Sequence, residues 1–254
     1  MIKYFDFETE VEKIDTLIKD LDDDNNGSSK IEKLKLEKNK ILEKIYSNLT
    51  PWQKVQVSRH IDRPHTLDYL KIIFEDLIFL HGDKKYADDS AIIGGFAKIN
   101  NQSVIVLGTE KGSDMESRIR HNFGMAKPEG YRKAQRLVSL AEKFNLPIIT
   151  FVDTAGAFPG KDAEERGQSE SIASSILFFL KAKTQIVSVI IGEGGSGGAI
   201  GIATSDRVLM LEHSIYSVIS PEGCSSILWK STSYNQEAAN TLKLTSQDCK
   251  NYNI

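Results

Sequence analysis

Short runs of aliphatic and β-branched residues alternate with longer amphipathic segments through most of the chain. Runs of about four to eight such residues, bounded by glycine, asparagine or proline, are typical of buried strands. Because Asn100 and Asn101 tolerate the left-handed backbone region, the first two strands are predicted to form a β-hairpin. The predicted strands cover residues 92–99, 103–107, 148–152, 186–191, 207–211 and 216–219.

Apolar residues at helical spacing indicate the helices that separate these strands. Helices are predicted at residues 66–80, 128–144 and 163–181, and Pro221 is expected to open another. The resulting order is strand, strand, helix, then strand, helix, which indicates an α/β fold. A plain doubly wound sheet would lack the initial hairpin.

The N-terminal part of the chain has a different pattern. Residues 10–21 and 30–49 each carry one apolar face and are rich in lysine and glutamate, which predicts a hairpin of two amphipathic helices. Two interpretations of this hairpin are equally compatible with the pattern. It could be an arm that binds a partner, or a solvated pair of helices that packs on its own domain. We therefore expect a hairpin and junction over residues 1–64 and a main domain over residues 65–254.

Two features of this region resemble metal sites without meeting their requirements. The turn DDDNNGSS contains Asp22, Asp24, Asn26 and Gly27 at the spacing of an EF-hand loop, but Lys33 stands where a bidentate glutamate is required. His60 and His65, in the junction, are expected at the surface because no other ligand lies at metal spacing. We expect no metal site.

Composition narrows the class of protein. A net charge of −3 and a pI near 6.0 leave no basic excess for nucleic-acid binding. Two cysteines, Cys224 and Cys249, without a CxxC motif exclude a zinc ribbon and suit a reducing compartment. The acidic N-terminus and the absence of a long apolar run predict a soluble, cytoplasmic protein without a membrane segment.

The strongest chemical signal is the glycine-rich stretch that follows the strand at residues 186–191. Gly194 and Gly195 let the backbone approach a ligand closely, and a helix then begins. Free N–H groups at a helix start favour negative charge. Gly197, Gly198 and Ala199 are therefore predicted to donate main-chain hydrogen bonds to an oxygen that is or becomes anionic.

A second turn of this kind, residues 153–160, follows the strand at 148–152. It contains Ala155, Gly156, Phe158 and Gly160, and again joins a strand to a helix start. Two such turns facing one cleft suit carbonyl or carboxylate chemistry.

Basic residues cluster between the hairpin and the helix at 128–144. Each of these basic residues, taken alone, fits a solvated surface. Together with the two donor turns, the cluster is predicted to bind phosphate or carboxylate groups. The cluster comprises Lys111, Arg118, Arg120, Lys127, Arg132 and Lys133.

Two other motifs match the glycine-rich stretch. Ser196 lies in a G-x-S-x-G string, as in a serine hydrolase, with His213 as the available histidine and Asp206 or Glu212 as the acid. Such a triad would lie within a very short stretch of chain, which disfavours it. Gly192, Gly194 and Gly197 also fit a dinucleotide fingerprint, but the helix that follows is too short for that fold.

Six strings resemble the carboxyltransferase α subunit of bacterial-type acetyl-CoA carboxylase, in the order of that family. They are SNLTPWQ, HNFGMAKPEGYRKAQRL, FVDTAGAFPG, AEERGQSE, GEGGSGGAI and YSVISPEGCSSILWK. The resemblance covers nearly the whole chain. It implies a crotonase-like fold of repeated ββα units, with the helical hairpin before it.

The resemblance also implies a function. The family transfers a carboxyl group from carboxybiotin, held on a biotin carboxyl carrier protein and made by biotin carboxylase, to acetyl-CoA, giving malonyl-CoA for fatty acid synthesis. It implies activity with a zinc-ribbon-bearing β subunit in an α2β2 assembly. On this sequence, Gly197 to Ala199 would hold the carboxybiotin carbonyl, residues 153–160 would form the adjacent wall, and no side-chain acid or base is implied. An inert scaffold subunit is the non-enzymatic alternative.

The chain departs from the family pattern at several positions. It has Thr109-Glu110-Lys111-Gly112-Ser113 where His-Gln-Lys-Gly-Arg is expected, and Glu110 is expected to repel an anion that glutamine would accept. Ala155 replaces proline, Phe158 replaces tyrosine, and Ile200-Gly201 replaces Leu-Ala. The family also continues with a strand and helices past the position of Ile254, so a shortened C-terminal end is expected.

Overall fold

A computed structural model describes residues 3–23 and 28–254. The chain folds as two compact units, Met1–Thr50 and Pro51–Ile254. The middle of the predicted DDDNNGSS turn, including Asp24, Asn26 and Gly27 of the EF-hand-like string, lies outside the described residues.

The first unit is the predicted helical hairpin. A short 3₁₀ helix, Asp6–Glu8, leads into α1, Thr9–Asp23, and α2 follows at Ser28–Tyr46. The ammonium of Lys38 lies 2.6 Å from the carboxylate of Asp15 and ties the two helices together. The Tyr4 hydroxyl donates to the same carboxylate, and burial together with this negative charge raises the pKa of Tyr4 to about 12.

The second unit is built on one sheet of seven strands. The strands are β1 Glu75–Phe79, β2 Ile92–Ile99, β3 Gln102–Thr109, β4 Ile148–Thr154, β5 Ile186–Gly195, β6 Arg207–Met210 and β7 Ile215–Ser217. The helices are α3 Pro51–Ser58, α4 Thr66–Ile73, α5 Met115–Arg120, α6 Pro128–Phe144, α7 Lys161–Glu165, α8 Gln168–Lys181, α9 Ser196–Ala203, α10 Pro221–Trp229, α11 Asn235–Leu242 and α12 Ser246–Asn251.

The sheet has the order β1-β2-β3-β4-β5-β6, and β7 also pairs with β5. The first three strands are antiparallel, and β3 to β6 run parallel. Asn100 and Asn101 both have positive φ, 49° and 63°, and form the tight turn of the β2–β3 hairpin as predicted. The α/β, crotonase-like fold class expected from the sequence is confirmed.

Strand alternation places apolar side chains on both faces of the sheet. In β3, Ile105 and Leu107 pack with α6 and α9, whereas Val104 and Val106 pack with α4 on the opposite face. All four side chains are buried. Helices therefore cover both faces, and the ends of the parallel strands are left for ligands.

The predicted helix at residues 66–80 is wrong beyond residue 73. Phe74 turns to an extended conformation, with φ −117° and ψ 150°, and β1 then pairs with β2. Gly95 explains why the edge strand fits here, since a methyl group on Gly95 would lie 2.0 Å from the Ile78 carbonyl oxygen. Leucines, isoleucines and phenylalanines in this stretch satisfy helical and strand spacing equally.

Two other predicted elements have different boundaries. The helix at residues 163–181 is two helices, α7 and α8, separated by Gly167 with φ 79°. Strand β5 continues through residues 192–195, which were predicted as a turn, because β4 and β7 pair with it on its two sides.

Replacement of Gly95 by alanine tests the β1–β2 contact. The new methyl group would overlap the Ile78 carbonyl, so Gly95→Ala is expected to lower the free energy of unfolding by about 1–3 kcal/mol, measured by urea unfolding. The control is Ile78→Ala, because the Ile78 side chain is 60% exposed and its loss is expected to change stability little. Equal stability of Gly95→Ala and wild type would contradict this pairing.

Candidate functional site

The two glycine-containing turns meet at the carboxyl ends of β4 and β5. Thr154 pairs with Gly194 across these parallel strands. A methyl group on Gly195 would lie 2.2 Å from the Ala155 carbonyl oxygen, and one on Gly198 would lie 2.4 Å from the Gly156 carbonyl carbon. The structure thus brings the two predicted turns together backbone against backbone, at a distance that a side chain would prevent.

Helix α9 begins inside this junction with Gly195 as its N-cap, and no side chain caps it. The first N–H groups of an α-helix have no intrahelical acceptor. Among the described residues, no side chain or carbonyl outside the helix accepts from the N–H groups of Ser196, Gly197 or Gly198. Ala199 is the first position whose N–H group is directed at a helical carbonyl, so helix geometry favours Gly197 and Gly198 as donors.

Side chains of α6 and α8 hold the start of α9 in place. Gly201 allows close contact with Tyr131, whose hydroxyl lies 3.4 Å from the Gly198 carbonyl oxygen. The Ser175 hydroxyl donates to the Gly201 carbonyl at 2.5 Å. Tyr131 is buried, and burial raises the pKa of its hydroxyl. Tyr131 therefore remains a neutral packing and hydrogen-bonding group.

A buried chain of charges lies beside the turns. The Lys111 ammonium lies 2.7 Å from the Asp153 carboxylate and 2.9 Å from that of Glu193. Arg59 lies 2.6 Å from the second oxygen of Glu193 and 2.6 Å from Glu222. Lys111 is consequently neutralised inside the protein and is not a free phosphate ligand.

Asp153 links the two turns directly. Its Oδ1 accepts a hydrogen bond from the Glu193 N–H at 2.9 Å, and its own N–H donates to the Thr109 hydroxyl at 2.6 Å. Gly192 makes room for this, since a methyl group there would lie 2.3 Å from Asp153 Oδ1. Asp153 therefore connects the ends of β3, β4 and β5 through its main-chain N–H and its carboxylate.

The opposite charges of Lys111, Asp153 and Glu193 shift the pKa values of one another. Burial opposes ionisation of Asp153 and Glu193, but the Lys111 charge and the hydrogen bonds outweigh it and hold the pKa of both carboxyls below its ordinary value. Burial likewise opposes the charged form of Lys111, but the two carboxylates hold the pKa of its ammonium above its ordinary value. Asp153 and Glu193 are thus poor general bases at neutral pH.

A cavity of about 260 Å³ opens over these charges. His65, expected at the surface, is instead buried in its wall, because α4 begins beside the end of β3. Its Nδ1 lies 3.7 Å from Asp153 Oδ2, and neither ring nitrogen has a hydrogen-bond partner among the described residues. The lining residues are Ser58, Arg59, His60, His65, Lys111, Arg118, Phe123, Asp153, Ala155 and Glu193.

Other members of the predicted basic cluster are also neutralised. The Lys127 ammonium lies 3.2 Å from Asp162 and 4.7 Å from the centre of the Phe158 ring. Lys133 lies 2.6 Å from Asp88. Phe158 in turn packs against Gly160, so this part of the second turn is held by apolar and cation–π contacts.

Arg132 lies away from the junction of the turns. It pairs with Asp83 at 2.7 Å and with Glu129 at 3.0 Å, and also donates to the Arg166 carbonyl. The structure therefore places Arg132 in a supporting network between α6 and the loop before β2. The sequence could not separate this role from ligand binding, because Asp83 lies far away in the chain and Glu129, three residues before Arg132, does not by itself show which way the side chain points.

The departures from the family pattern have structural roles. Glu110 is buried, and its two oxygens accept the N–H groups of Leu67 and Gly112 at 2.9 Å and 2.7 Å. Thr109 joins β3 to β4 and accepts the Thr66 hydroxyl through its carbonyl. Glu110 is thus engaged by main-chain amides and is not among the residues that line the cavity. The repulsion of an anion that was predicted for Glu110 is therefore not expected there.

The geometry disfavours the hydrolase interpretation. Ser196 has φ 52°, as expected of a sharp strand-to-helix turn. However, β7 runs parallel to β5 with Gly195 opposite Ser217. His213 lies in the turn before β7, whose first residue, Ile215, pairs with Glu193, so the register places His213 behind the level of Ser196 along the sheet.

The described residues contain neither a candidate metal site nor a helix that could span a membrane. No group of three or more histidine, cysteine, aspartate or glutamate side chains there is arranged to hold a metal ion. No helix of the described part is long and apolar enough to cross a membrane.

Solved structures share this fold. Transcarboxylase 12S matches with a TM-score of 0.64 and 18% identity, over 81% of this chain and 41% of that chain. The β subunit of geranyl-CoA carboxylase from P. aeruginosa matches with a TM-score of 0.57, over 72% of this chain and 36% of that chain. These matches show that the chain shares the crotonase-like α/β fold of the two proteins.

Sequence comparison identifies the family. The model for acetyl co-enzyme A carboxylase carboxyltransferase-like proteins matches residues 4–254. The acetyl-coenzyme A carboxylase carboxyl transferase subunit alpha of Rhodospirillum centenum is 56% identical over 98% of this chain and 78% of its own length. That of Paramagnetospirillum magneticum is 58% identical over 89% of this chain and 71% of its own length. The chain belongs to the family of acetyl-coenzyme A carboxylase carboxyltransferase α subunits.

Lys111→Met tests the buried charge chain. Removing the ammonium leaves two buried carboxylates without their shared partner, and is expected to lower the free energy of unfolding by about 3–5 kcal/mol. The matched control is Lys98→Met, which removes an exposed ammonium 2.6 Å from Asp76 and is expected to leave the thermal midpoint nearly unchanged. Similar thermal and urea midpoints for the two variants would contradict a structural role for Lys111.

The pH dependence of stability tests the same group. Because the folded-state pKa values of Asp153 and Glu193 are lowered, the unfolded chain binds more protons in mild acid. Their stabilisation is therefore full above about pH 5 and is lost as pH falls through about 4 and below. Urea unfolding at a series of pH values should show a smaller acid-induced loss in Lys111→Met, because removal of the ammonium moves the folded-state pKa of both carboxyls up, towards or above the unfolded value. Parallel curves for wild type and variant would refute this account.

Proposed function

We propose that this chain provides the carboxybiotin side of a carboxyltransferase active site, and that the reaction transfers the carboxyl group to acetyl-CoA, giving malonyl-CoA. The observation that carries the proposal is the junction of the two turns, where Gly195 and Gly198, on either side of the uncapped start of α9, pack against residues 155–157. Ser196 and Gly197 are partly exposed, so a ligand can reach the start of α9.

Main-chain donors suit the ureido carbonyl of biotin. Carboxybiotin, the substrate, supplies the carboxyl group, and the biotin anion left behind can accept the methyl proton of acetyl-CoA. The negative charge that develops on the ureido oxygen is stabilised by fixed N–H dipoles, whose orientation needs no change during the reaction. Since Asp153, Glu193 and Lys111 are engaged with one another, this chain needs no side-chain base of its own.

The proposal includes a second polypeptide and a carrier. The relatives are named as α subunits, which supports a β subunit that brings most of the acetyl-CoA side. We further propose a zinc-ribbon-bearing β subunit in an α2β2 assembly, with biotin presented by a carrier protein that a biotin carboxylase loads. The product, malonyl-CoA, would enter fatty acid synthesis in the cytoplasm.

The test is decarboxylation of malonyl-CoA with free biotin by this chain reconstituted with its β subunit. Gly198→Ala is expected to lower kcat by about 10²–10³-fold, because its methyl group pushes against Gly156 and separates the turns. Gly197→Ala is the control, since its methyl group would meet Ile172 at 3.6 Å, an ordinary contact. Circular dichroism spectra and melting curves of both variants exclude general unfolding.

The possible outcomes separate the competing functions. No turnover by wild type at high enzyme concentration would favour an inert scaffold subunit. Full turnover by Gly198→Ala would exclude the proposed donors. Ser196→Gly keeps the left-handed conformation without the hydroxyl, and its loss of an esterase activity with carboxyl transfer unchanged would revive the hydrolase alternative.

A further inference from the structure

Strand β5 loses its regular pairing directly before α9 begins. Up to Ile190 it pairs with β6, and from Glu193 it pairs with β7. On the other side its register with β4 shifts between Val152, opposite Ile190, and Thr154, opposite Gly194. The ladder is therefore irregular on both sides at the same level. The sheet alone does not fix the end of β5, from which α9 starts.

Two arginines from the segment between α3 and α4 contact β5 at this level. Nε of Arg63 donates to the Ile191 carbonyl at 2.7 Å, and Nε of Arg59 donates to Glu193 Oε1 at 2.6 Å. Both arginines lie in the stretch that the sequence indicated only as a junction. Their contacts show that this stretch supports the end of β5 where the ladder is irregular.

The Arg59 guanidinium joins two carboxylates from different elements. Its two terminal nitrogens donate to Glu222, Nη1 to Oε1 at 2.6 Å and Nη2 to Oε2 at 3.4 Å, while Nε donates to Glu193. Glu222 lies in the first turn of α10, which follows β7. A planar guanidinium with all three nitrogens engaged fixes the directions of both carboxylates. Arg59 thus ties the end of β5 to the helix that follows its neighbour β7.

Lys111 cannot replace Arg59 in this contact. Its ammonium lies 2.9 Å from Oε2 of Glu193, but an ammonium is a compact charge without the directional fork of a guanidinium. Glu193 is followed directly by Gly194 and Gly195, and α9 begins at the next residue. Displacement of Glu193 would therefore move the first N–H groups of α9 with it.

Direct contact of Arg59 with a substrate is the alternative role, because Arg59 also lines the cavity of about 260 Å³. Each guanidinium nitrogen already donates to a carboxylate of the protein, and a substrate anion would have to displace one of them. Asp153 and Glu193, in the same cavity wall, carry negative charge and oppose such an anion. The contacts of Arg59 therefore favour support of the strand end over binding of a ligand.

We propose that Arg59 is a positioning residue for the carboxyl transfer and acts through Glu193 on the start of α9. This inference rests on the proposed function, in which the N–H groups of Gly197 and Gly198 stabilise charge that develops on the ureido oxygen. Such donors act mainly on the transition state, and a small misplacement weakens their effect. Loss of Arg59 should therefore lower kcat and leave the KM for malonyl-CoA nearly unchanged.

The test compares Arg59→Met with wild type in decarboxylation of malonyl-CoA with free biotin, each chain reconstituted with saturating β subunit. Methionine keeps much of the side-chain length without the guanidinium, and kcat is expected to fall by about 10–100-fold. Arg59→Lys keeps the charge but cannot hold both carboxylates, so its kcat should lie between those of wild type and Arg59→Met. The control, Lys38→Met, removes a cation of similar exposure and pairing distance from the other compact unit, and should keep the wild-type kcat.

Hydrogen–deuterium exchange of the chain alone tests the position of the strand end without any partner. The amides of residues 190–203 are expected to exchange faster in Arg59→Met than in wild type, because an irregular ladder that loses a tie opens more readily. The amides of helix α6 should exchange as in wild type, and Lys38→Met should leave both regions unchanged. If Arg59→Met does not fold, Arg59→Lys is expected to show the same two changes, a lower kcat and faster exchange.

Several outcomes would overturn the proposal. They are a wild-type kcat in Arg59→Met, unchanged exchange over residues 190–203, or an equal loss of kcat in Lys38→Met. A raised KM for malonyl-CoA or biotin at unchanged kcat would also overturn it, because it would assign Arg59 to substrate binding. Absence of turnover by the wild-type pair at high enzyme concentration would reject the proposed function itself, and the exchange measurement would then decide alone whether Arg59 holds the start of α9.

Discussion

The Lys111 ammonium, held between the carboxylates of Asp153 and Glu193, is the interaction on which the site depends. These residues come from the ends of three adjacent strands, and none of the three could be buried as an ion without the other two. A buried ion group of this kind adds little net stability compared with apolar packing, but it accepts few alternative geometries. It therefore fixes the relative positions of the strand ends, and through them the positions of the glycine turns.

Glycine residues make this arrangement possible in two ways. Gly192 gives Asp153 the space to reach the Glu193 N–H, and Gly195 and Gly198 let the second turn lie directly on the first. The conformational cost of so many glycines in one stretch is substantial, since each loses more backbone freedom on folding than another residue would. The packing of Tyr131 against Gly201 offsets part of that cost locally.

The sequence predicted the elements whose signals are local. The hairpin at Asn100 and Asn101, helix α6 after Pro128 and the two glycine turns all follow from short-range patterns and were found. Edge strand β1 was missed because its apolar spacing suits a helix as well, and the deciding contact, with Gly95, lies far along the chain. A glycine pair inside β2 was the available signal, since it marks a close approach of another backbone.

The site was predicted less completely than the fold, for the same reason. A cluster of lysines and arginines can be read from the sequence, but whether each one faces a carboxylate is decided by tertiary contacts. Arg132 pairs with Asp83 and Lys111 with Asp153, both from distant segments, whereas His65, assigned to the surface, is buried against Asp153. Tyr131, which supports the start of α9, gave no signal beyond its place on an apolar helix face.

The pairing of the charges beside the turns limits what acts at the start of α9. Lys111 and Arg59 each lie within 4 Å of a carboxylate, so their charges are largely compensated and the main-chain N–H groups of α9 supply the field that a ligand oxygen meets there. Such a field stabilises the partial charge on a carbonyl oxygen without binding any anion tightly, as a site that must release its product requires. The donors of the proposed reaction thus belong to the backbone of this chain, at the start of α9.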